Sequence, residues 1–130
     1  MDLNPLLKRL GGILGPTQLR NDVVEAAYLA MRLISHRATL ASNGVSPKEY
    51  LDRQAKSSKE SRRLALRVTE EIVRRESAPL HEVPQKRLDL YTLALSQLVR
   101  RRLKHDLQYD EQRGRMLLEE LRRAGQPASW

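Results

Sequence analysis

The sequence predicts an all-α fold, a compact bundle of five or six helices in a single domain over residues 1–130. Three observations carry that expectation. Apolar residues recur on a helical period along most of the chain, and no stretch of useful length alternates with period two. Cap and turn signals fall between the periodic stretches and leave short connections. Phe and Cys are absent, and Tyr28, Tyr50, Tyr91, Tyr109 and Trp130 are the only aromatic residues, so the core must be Leu, Val, Ile and Ala, which suits helix-on-helix packing.

Asn4 before Pro5 reads as an N-cap followed by proline at the first helical position, giving a short helix from Pro5 to Leu10 that ends at Gly11-Gly12. Ile13-Leu14-Gly15-Pro16 then makes an apolar turn that plugs one end of the bundle, so residues 1–16 form a short helix and turn. No Gly-Lys-Ser/Thr follows these glycines, which excludes a phosphate loop. Thr17 caps a second helix running to about Ser42, with Leu19, Val23, Ala26, Ala27, Ala30, Ile34, Ala38 and Ala41 as its apolar stripe. Asn43-Gly44 supplies a left-handed stop.

Ser46-Pro47-Lys48-Glu49 is a capping box with proline at N1, opening a third helix from Pro47 to about Gln54 with Tyr50 and Leu51 inward. Ser57-Ser58-Lys59-Glu60 offers a second capping box for a fourth helix, about Lys59 to Glu76, burying Leu64, Ala65, Val68, Ile72 and Val73. Whether the third and fourth helices are separate or one kinked helix stays open. Prolines at 79 and 84 stiffen the next loop. The stretch from Pro84 to Tyr109 then carries Leu88, Tyr91, Leu95, Leu98, Val99 and Leu103 on one face. At about 1.5 Å per residue its 26 residues make a helix about 39 Å long, the element around which the rest is expected to pack. Asp110 or Gly114 breaks it. Met116, Leu117, Leu118 and Leu121 form a last helix stopped at Gly125, with Pro127 beyond and residues 126–130 as a loose tail.

A net charge of +8 and a pI near 10.3 favour an acidic partner, most simply a nucleic acid. The charge is uneven. Lys56, Lys59, Arg62, Arg63 and Arg67 stand against Glu60 alone, and Arg100, Arg101, Arg102 and Lys104 stand in a run with no acid. These nine side chains are the candidate nucleic-acid-binding residues, clasping phosphates without reading sequence. By contrast, Glu70-Glu71 with Arg74-Arg75 and Glu119-Glu120 with Arg122-Arg123 have the spacing of ordinary ion pairs on solvated helix faces. Few aromatics lie among the cations, with Tyr109 and Trp130 the only plausible stackers and Tyr91 assigned to the core, so base stacking is weakly supported.

No catalytic activity is expected. His36, His81 and His105 share no helical-turn spacing, so no zinc site is predicted. His105-Asp106 is similar to the doublet of metal-dependent phosphohydrolases but lacks the further histidines and aspartate that chemistry requires. Asp106 and Asp110 have the spacing to hold Mg²⁺, yet Arg102 and Lys104 are equally placed to neutralise Asp106. No cofactor is predicted. The absence of Cys fits a reducing compartment, no apolar run is long enough to span a membrane, and the N-terminus is a poor signal peptide; a cytoplasmic location without membrane contact is the expectation.

A small, basic, cysteine-free helical bundle is similar in size, charge and architecture to the small helical subunits of CRISPR effector complexes. Those subunits line up along guide–target or displaced-strand nucleic acid and hold it through Lys and Arg. The resemblance implies a non-catalytic subunit of an antiviral defence complex, with RNA or single-stranded DNA and neighbouring protein subunits as partners, homo-oligomers included. It rests on no diagnostic motif, and no family residue is transferred. A second likeness is local: Tyr28-Leu29-Ala30-Met31-Arg32-Leu33-Ile34 and Leu64-Ala65-Leu66-Arg67 resemble stretches of the helical Rubisco assembly chaperone. It implies a dimeric chaperone or adaptor holding a peptide in an apolar groove, although the segment between the two stretches is short for that family. An accessory protein for phage or plasmid DNA packaging is a third alternative, but no helix-turn-helix spacing stands out.

Overall fold

Alanine determines which helix lies at the centre. Helix α2 (Arg20–Ser42) buries Val23, Ala26, Ala27, Leu29, Ala30, Met31, Leu33 and Ile34, a band too wide for one partner, and its small side chains let several helices approach. The computed structural model describes residues 3–14, 20–104 and 111–124, and the side chains of all these except residues 20, 21, 103, 104, 111–114, 117 and 118. Its elements are α1 (Asn4–Leu14), α2, α3 (Pro47–Asp52), α4 (Lys59–Glu76), a 3-10 turn at Leu80–Glu82, α5 (Gln85–Lys104) and α6 (Glu111–Ala124). There is no strand among the described residues, so the all-α expectation holds.

The central role expected of residues 84–109 falls to α2 instead. Helices α3, α4, α5 and α6 all pack on α2, whereas α5 meets only α1, α2 and α6 across broad surfaces. The single face of α5 is buried as expected through Leu88, Tyr91, Leu95 and Val99, with Ala94 added and Leu98 half-buried. A one-faced stripe marks a helix lying at the edge of a core, and a band marks one lying within it.

Side-chain contacts fix the directions. Ser58, at the start of α4, donates its N–H to Glu25 Oε1 (2.9 Å) and its hydroxyl to Asp22 Oδ1 (2.8 Å), both near the start of α2, so α2 and α4 run parallel. Residues 43–58, including α3, return the chain between them. Helix α5 begins where α2 and α4 end: Arg37 donates to Gln85 Oε1 at 3.0 Å, and Glu76 accepts from Arg87 Nε (2.8 Å) and Tyr91 Oη (2.6 Å). It therefore runs back along the bundle. Helix α1 closes the side away from α2 by packing on both α4 and α5. Around the core the order is thus α2, α4, α1, α5, with α3 outside the α2–α4 seam and α6 outside the α2–α5 seam.

Several boundaries differ from expectation. Helix α1 does not stop at Gly11-Gly12 but continues to Leu14. Leu7, Leu10 and Leu14 keep its apolar stripe in phase, and burying Leu14 contributes about 1.5–3 kcal/mol, which matches the roughly 2 kcal/mol that two helical glycines cost. Gly11 also has a packing role, since a Cβ there would stand 3.4 Å from Leu98 Cδ2. Ile13 and Leu14 are therefore helical; Gly15, Pro16, Thr17 and Leu19 lie outside the described residues. Ala38 and Ala41, three residues apart on one side of α2, are exposed, whereas Leu40 between them still packs against the core.

Ser46 caps α3 as predicted, its hydroxyl accepting from Glu49 N at 3.1 Å, and Gly44 takes the left-handed conformation at φ 68°. Helices α3 and α4 are separate. The cap of α4 is Ser58 rather than Ser57: its hydroxyl accepts from Ser61 N at 3.0 Å, and the Ser57 capping box does not form. Gly114 lies inside α6 and does not break it. Leu121 is buried on α6 and Met116 is exposed; the side chains of Leu103, Leu117 and Leu118, and Gly125 and Pro127, lie outside the described residues.

Candidate polyanion interface

The outward face of α4 follows from helical spacing. With Ser61, Leu64, Ala65, Val68 and Ile72 turned inward, the opposite side must carry Lys59, Arg63, Arg67, Glu70 and Arg74, and all five are exposed. Four cations thus lie on one stripe, interrupted by one acid. Arg62 sits beside it, half-buried, with Nε 3.5 Å from Ser58 O, and Lys56 is exposed in the turn before α4.

Beside this stripe α1 and α4 enclose an open groove of about 790 Å³ lined by Pro5, Lys8, Arg9, Gly12 and Ile13 from α1 and by Arg67, Glu70, Glu71, Arg74 and Arg75 from α4. Five cations face two carboxylates there. Glu71, with a side chain 12% exposed, ties the walls together: it accepts from Arg74 Nε (3.0 Å) and Nη2 (2.6 Å) and from Arg9 Nε (3.0 Å). The Arg74 hydrogen bond, assisted by Arg9, holds the Glu71 carboxyl down at about 2 and Arg74 above its ordinary value. Lys8 and Arg67 have no ion pair among the described residues.

At the upper end of α4, Glu76 is held below the usual carboxylate range, chiefly by the hydrogen bond from Arg87. Tyr91, fully buried, has its hydroxyl pushed up to about 12 by burial and by donation to Glu76. This knot joins α4 to α5 and brings Arg75 close to Glu76 and Tyr91.

Not every predicted cation is available. Arg63 forms a two-pronged pair with Glu60 (2.9 and 2.6 Å), which raises its pKa and occupies part of its donor set. The two predicted clusters do not share a groove. Arg100 lines the groove between α5 and α6 with Asp89, Thr92, Leu93, Ser96, Gln97, Arg115, Glu119 and Arg122, on the flank of α5 remote from α4. Arg100 and Arg101 are exposed and without an ion pair among the described residues, Arg102 is half-buried and engaged, and the side chain of Lys104 lies outside them. The Arg122–Glu119 and Arg74–Glu71 pairs form with the predicted helix-surface spacing.

Lys8, Arg9, Arg74 and Arg75 were not among the nine predicted residues. Glu70 and Glu71 made the α4 pair look self-neutralising, and nothing local to residues 8–9 signals that α1 will lie against α4. The only available sign was that α4 keeps cations at 59, 63, 67 and 74 on one stripe.

Of the histidines, His36 is buried next to Tyr50, with ring centroids 6.4 Å apart, and burial followed by the nearby Arg32 charge lowers its pKa. Among the described residues no three His, Asp or Glu side chains gather as a metal site, and no helix is long and apolar enough to cross a membrane. His105, Asp106, Tyr109, Asp110 and Trp130 lie outside them. Comparison with known protein families, curated proteins and solved structures finds no match to this chain.

Proposed function

We propose that the protein is a non-catalytic nucleic-acid-binding subunit that holds a phosphate backbone along α4 and the adjoining wall of α1. One observation carries this reading: Lys59, Arg63, Arg67 and Arg74 follow one exposed stripe of α4, and Lys8 and Arg9 extend it sideways across the groove. Neighbours four apart on a helix stand about 6 Å apart along its axis, so the stripe offers successive cations to an extended strand. Among the described residues no aromatic side chain lines the groove, which favours backbone contact over base readout. The separate Arg100–Arg101 site is a second, weaker contact. Such a protein would work as the small helical subunit of a CRISPR effector complex does, alongside protein neighbours.

The test is fluorescence anisotropy with a 5′-hydroxyl single-stranded RNA and the matching DNA in rising salt. Binding that weakens steeply with salt, and that Arg63→Glu with Arg67→Glu reduces, supports the proposal. No binding at low salt, or binding indifferent to both reversals, rejects it.

A peptide-holding adaptor is the second reading. Leu93 and Met116, 49% and 62% exposed, lie on α5 and α6, and Tyr28, 38% exposed, lines the neighbouring α2–α6 groove. It requires salt-insensitive peptide binding that Leu93→Ser abolishes.

A further inference from the structure

The α1–α4 groove differs from the α4 stripe in being concave, and concavity alters which anion fits. A stripe offers one cation at a time to a chain of phosphodiesters, each carrying a single charge. The groove gathers Lys8, Arg9, Arg67, Arg74 and Arg75 around one space, and subtracting Glu70 and Glu71 leaves three formal positive charges within it. A phosphomonoester carries about −1.5 to −2 at neutral pH, so an internal diester underfills this site and a linear di- or triphosphate matches it.

Two further features suit a compact, highly charged ligand. Glu71 uses Nε and Nη2 of Arg74 and only Nε of Arg9, so Nη1 of Arg74 and both Nη groups of Arg9 keep donors for another acceptor while the guanidinium planes are held in place. A preorganised donor pair loses less entropy on binding than two free arginines. Among the described residues the rest of the lining, Pro5, Gly12 and Ile13, offers no aromatic ring for a base to stack on, so recognition runs through the phosphates.

We propose that the α1–α4 groove is an oligophosphate-binding site that takes a di- or triphosphate group, whether the 5′ end of a nucleic acid or free polyphosphate. The assignment rests on the same cationic face as the function proposed above, but it concerns the groove and not the stripe.

The test uses the full chain and two kinds of probe. Isothermal titration with inorganic tripolyphosphate, and with orthophosphate as the control, addresses the groove directly. Tripolyphosphate is expected to bind at one site per chain and about tenfold or more tighter than orthophosphate, since each added charged contact deepens the well. Lys8→Ser with Arg67→Ser should weaken it about tenfold, and Arg100→Ser with Arg101→Ser should leave it within about twofold. Both pairs are exposed, and thermal melts confirm that each variant folds. Absent tripolyphosphate binding, orthophosphate binding of equal strength, or equal losses in the two variants would overturn the proposal.

A 5′-triphosphorylated RNA compared with its 5′-hydroxyl twin separates the sources. Tighter binding of the triphosphorylated strand, reversed by free tripolyphosphate, assigns the group to a chain end. Equal binding of the two strands, with tripolyphosphate still captured, assigns the site to free polyphosphate. Failure of the 5′-hydroxyl strand alone rejects the backbone reading and leaves the groove assignment standing.

Discussion

On the α1–α4 flank, Lys8, Arg9, Arg67, Arg74 and Arg75 share a groove with Glu70 and Glu71; on the α5–α6 flank, Arg100, Arg115 and Arg122 share theirs with Asp89, Glu119 and the exposed Leu93. Both flanks are rich in arginine, and both contain an Arg–Glu pair three residues apart on one helix. The difference lies in what the acid holds. Glu119 is met by Arg122 and Arg123 of its own helix, whereas Glu71 is met by Arg74 and by Arg9 from a helix far away in sequence. The first arrangement neutralises a surface locally. The second uses one carboxylate to assemble cations from two elements, and an excess of positive charge remains.

The largest expected effect breaks this comparison at its base. Leu10 is fully buried and seats α1 in the bundle. Leu10→Ala should cost about 2–5 kcal/mol of stability by the usual cavity and transfer terms. Met116→Ser, on an exposed position of the other flank, should change stability by less than about 0.5 kcal/mol. Denaturant titration checks both. Comparable losses would mean that the α6 flank is as integral to the core as α1.

Next in size is the contrast in nucleic-acid affinity. Lys8→Glu with Arg67→Glu should weaken binding of a 5′-hydroxyl strand about 10- to 100-fold and reduce the salt slope by about 2. Arg100→Glu with Arg101→Glu should weaken it by less than about fivefold and the slope by less than about 1. Equal effects would merge the two flanks into one surface.

This contrast also shows how far the sequence could be read. Helical period, the Ser46 capping box and the Asn43-Gly44 stop are local signals, and the elements they mark formed where expected. Gly11-Gly12 misled because a local breaker was overridden by Leu14, a tertiary contact. The cation clusters were legible as composition but not as surfaces. Arg67 adjoins Lys8 and Arg9 only because α1 folds back onto α4, Arg62 and Arg63 face Lys48 and Asp52 of α3 instead, and Arg100 parts from all of them because it lies on the α6 side of α5. Residues adjacent in sequence declare their shared helix face. Residues brought together by packing declare nothing until the helix directions are known.

The Glu71 clamp predicts a pH dependence. Its folded pKa, about 2, lies below the ordinary value of 4.5, so its contribution to stability is complete above pH 4.5 and is lost as pH falls toward 2. Glu71→Gln should therefore lower stability at neutral pH by about 1–2 kcal/mol, allowing for the exposure of both arginines, and flatten the fall in melting temperature below pH 4.5. Glu119, lowered chiefly by Arg122 but exposed, should give a smaller change when replaced by Gln. Thermal melts between pH 2 and pH 7 compare the two. An unchanged acid limb in Glu71→Gln would show that the α1–α4 tie contributes nothing to the fold.

The smallest effect sharpens the comparison within α1 itself, whose two glycines face different neighbours. A Cβ on Gly12 would meet nothing within 4 Å, although Gly12 lines the groove, whereas one on Gly11 would stand 3.4 Å from Leu98 Cδ2. Gly12→Ala should therefore gain the full helix propensity difference, about 0.8–1 kcal/mol, and raise the melting temperature by about 2–5 °C. Gly11→Ala gains the same propensity but must displace Leu98 slightly, so its net gain should be smaller. If Gly12→Ala instead weakens tripolyphosphate binding while stabilising the fold, the backbone of α1 itself approaches the ligand, and the groove's floor joins the five cations as part of the site.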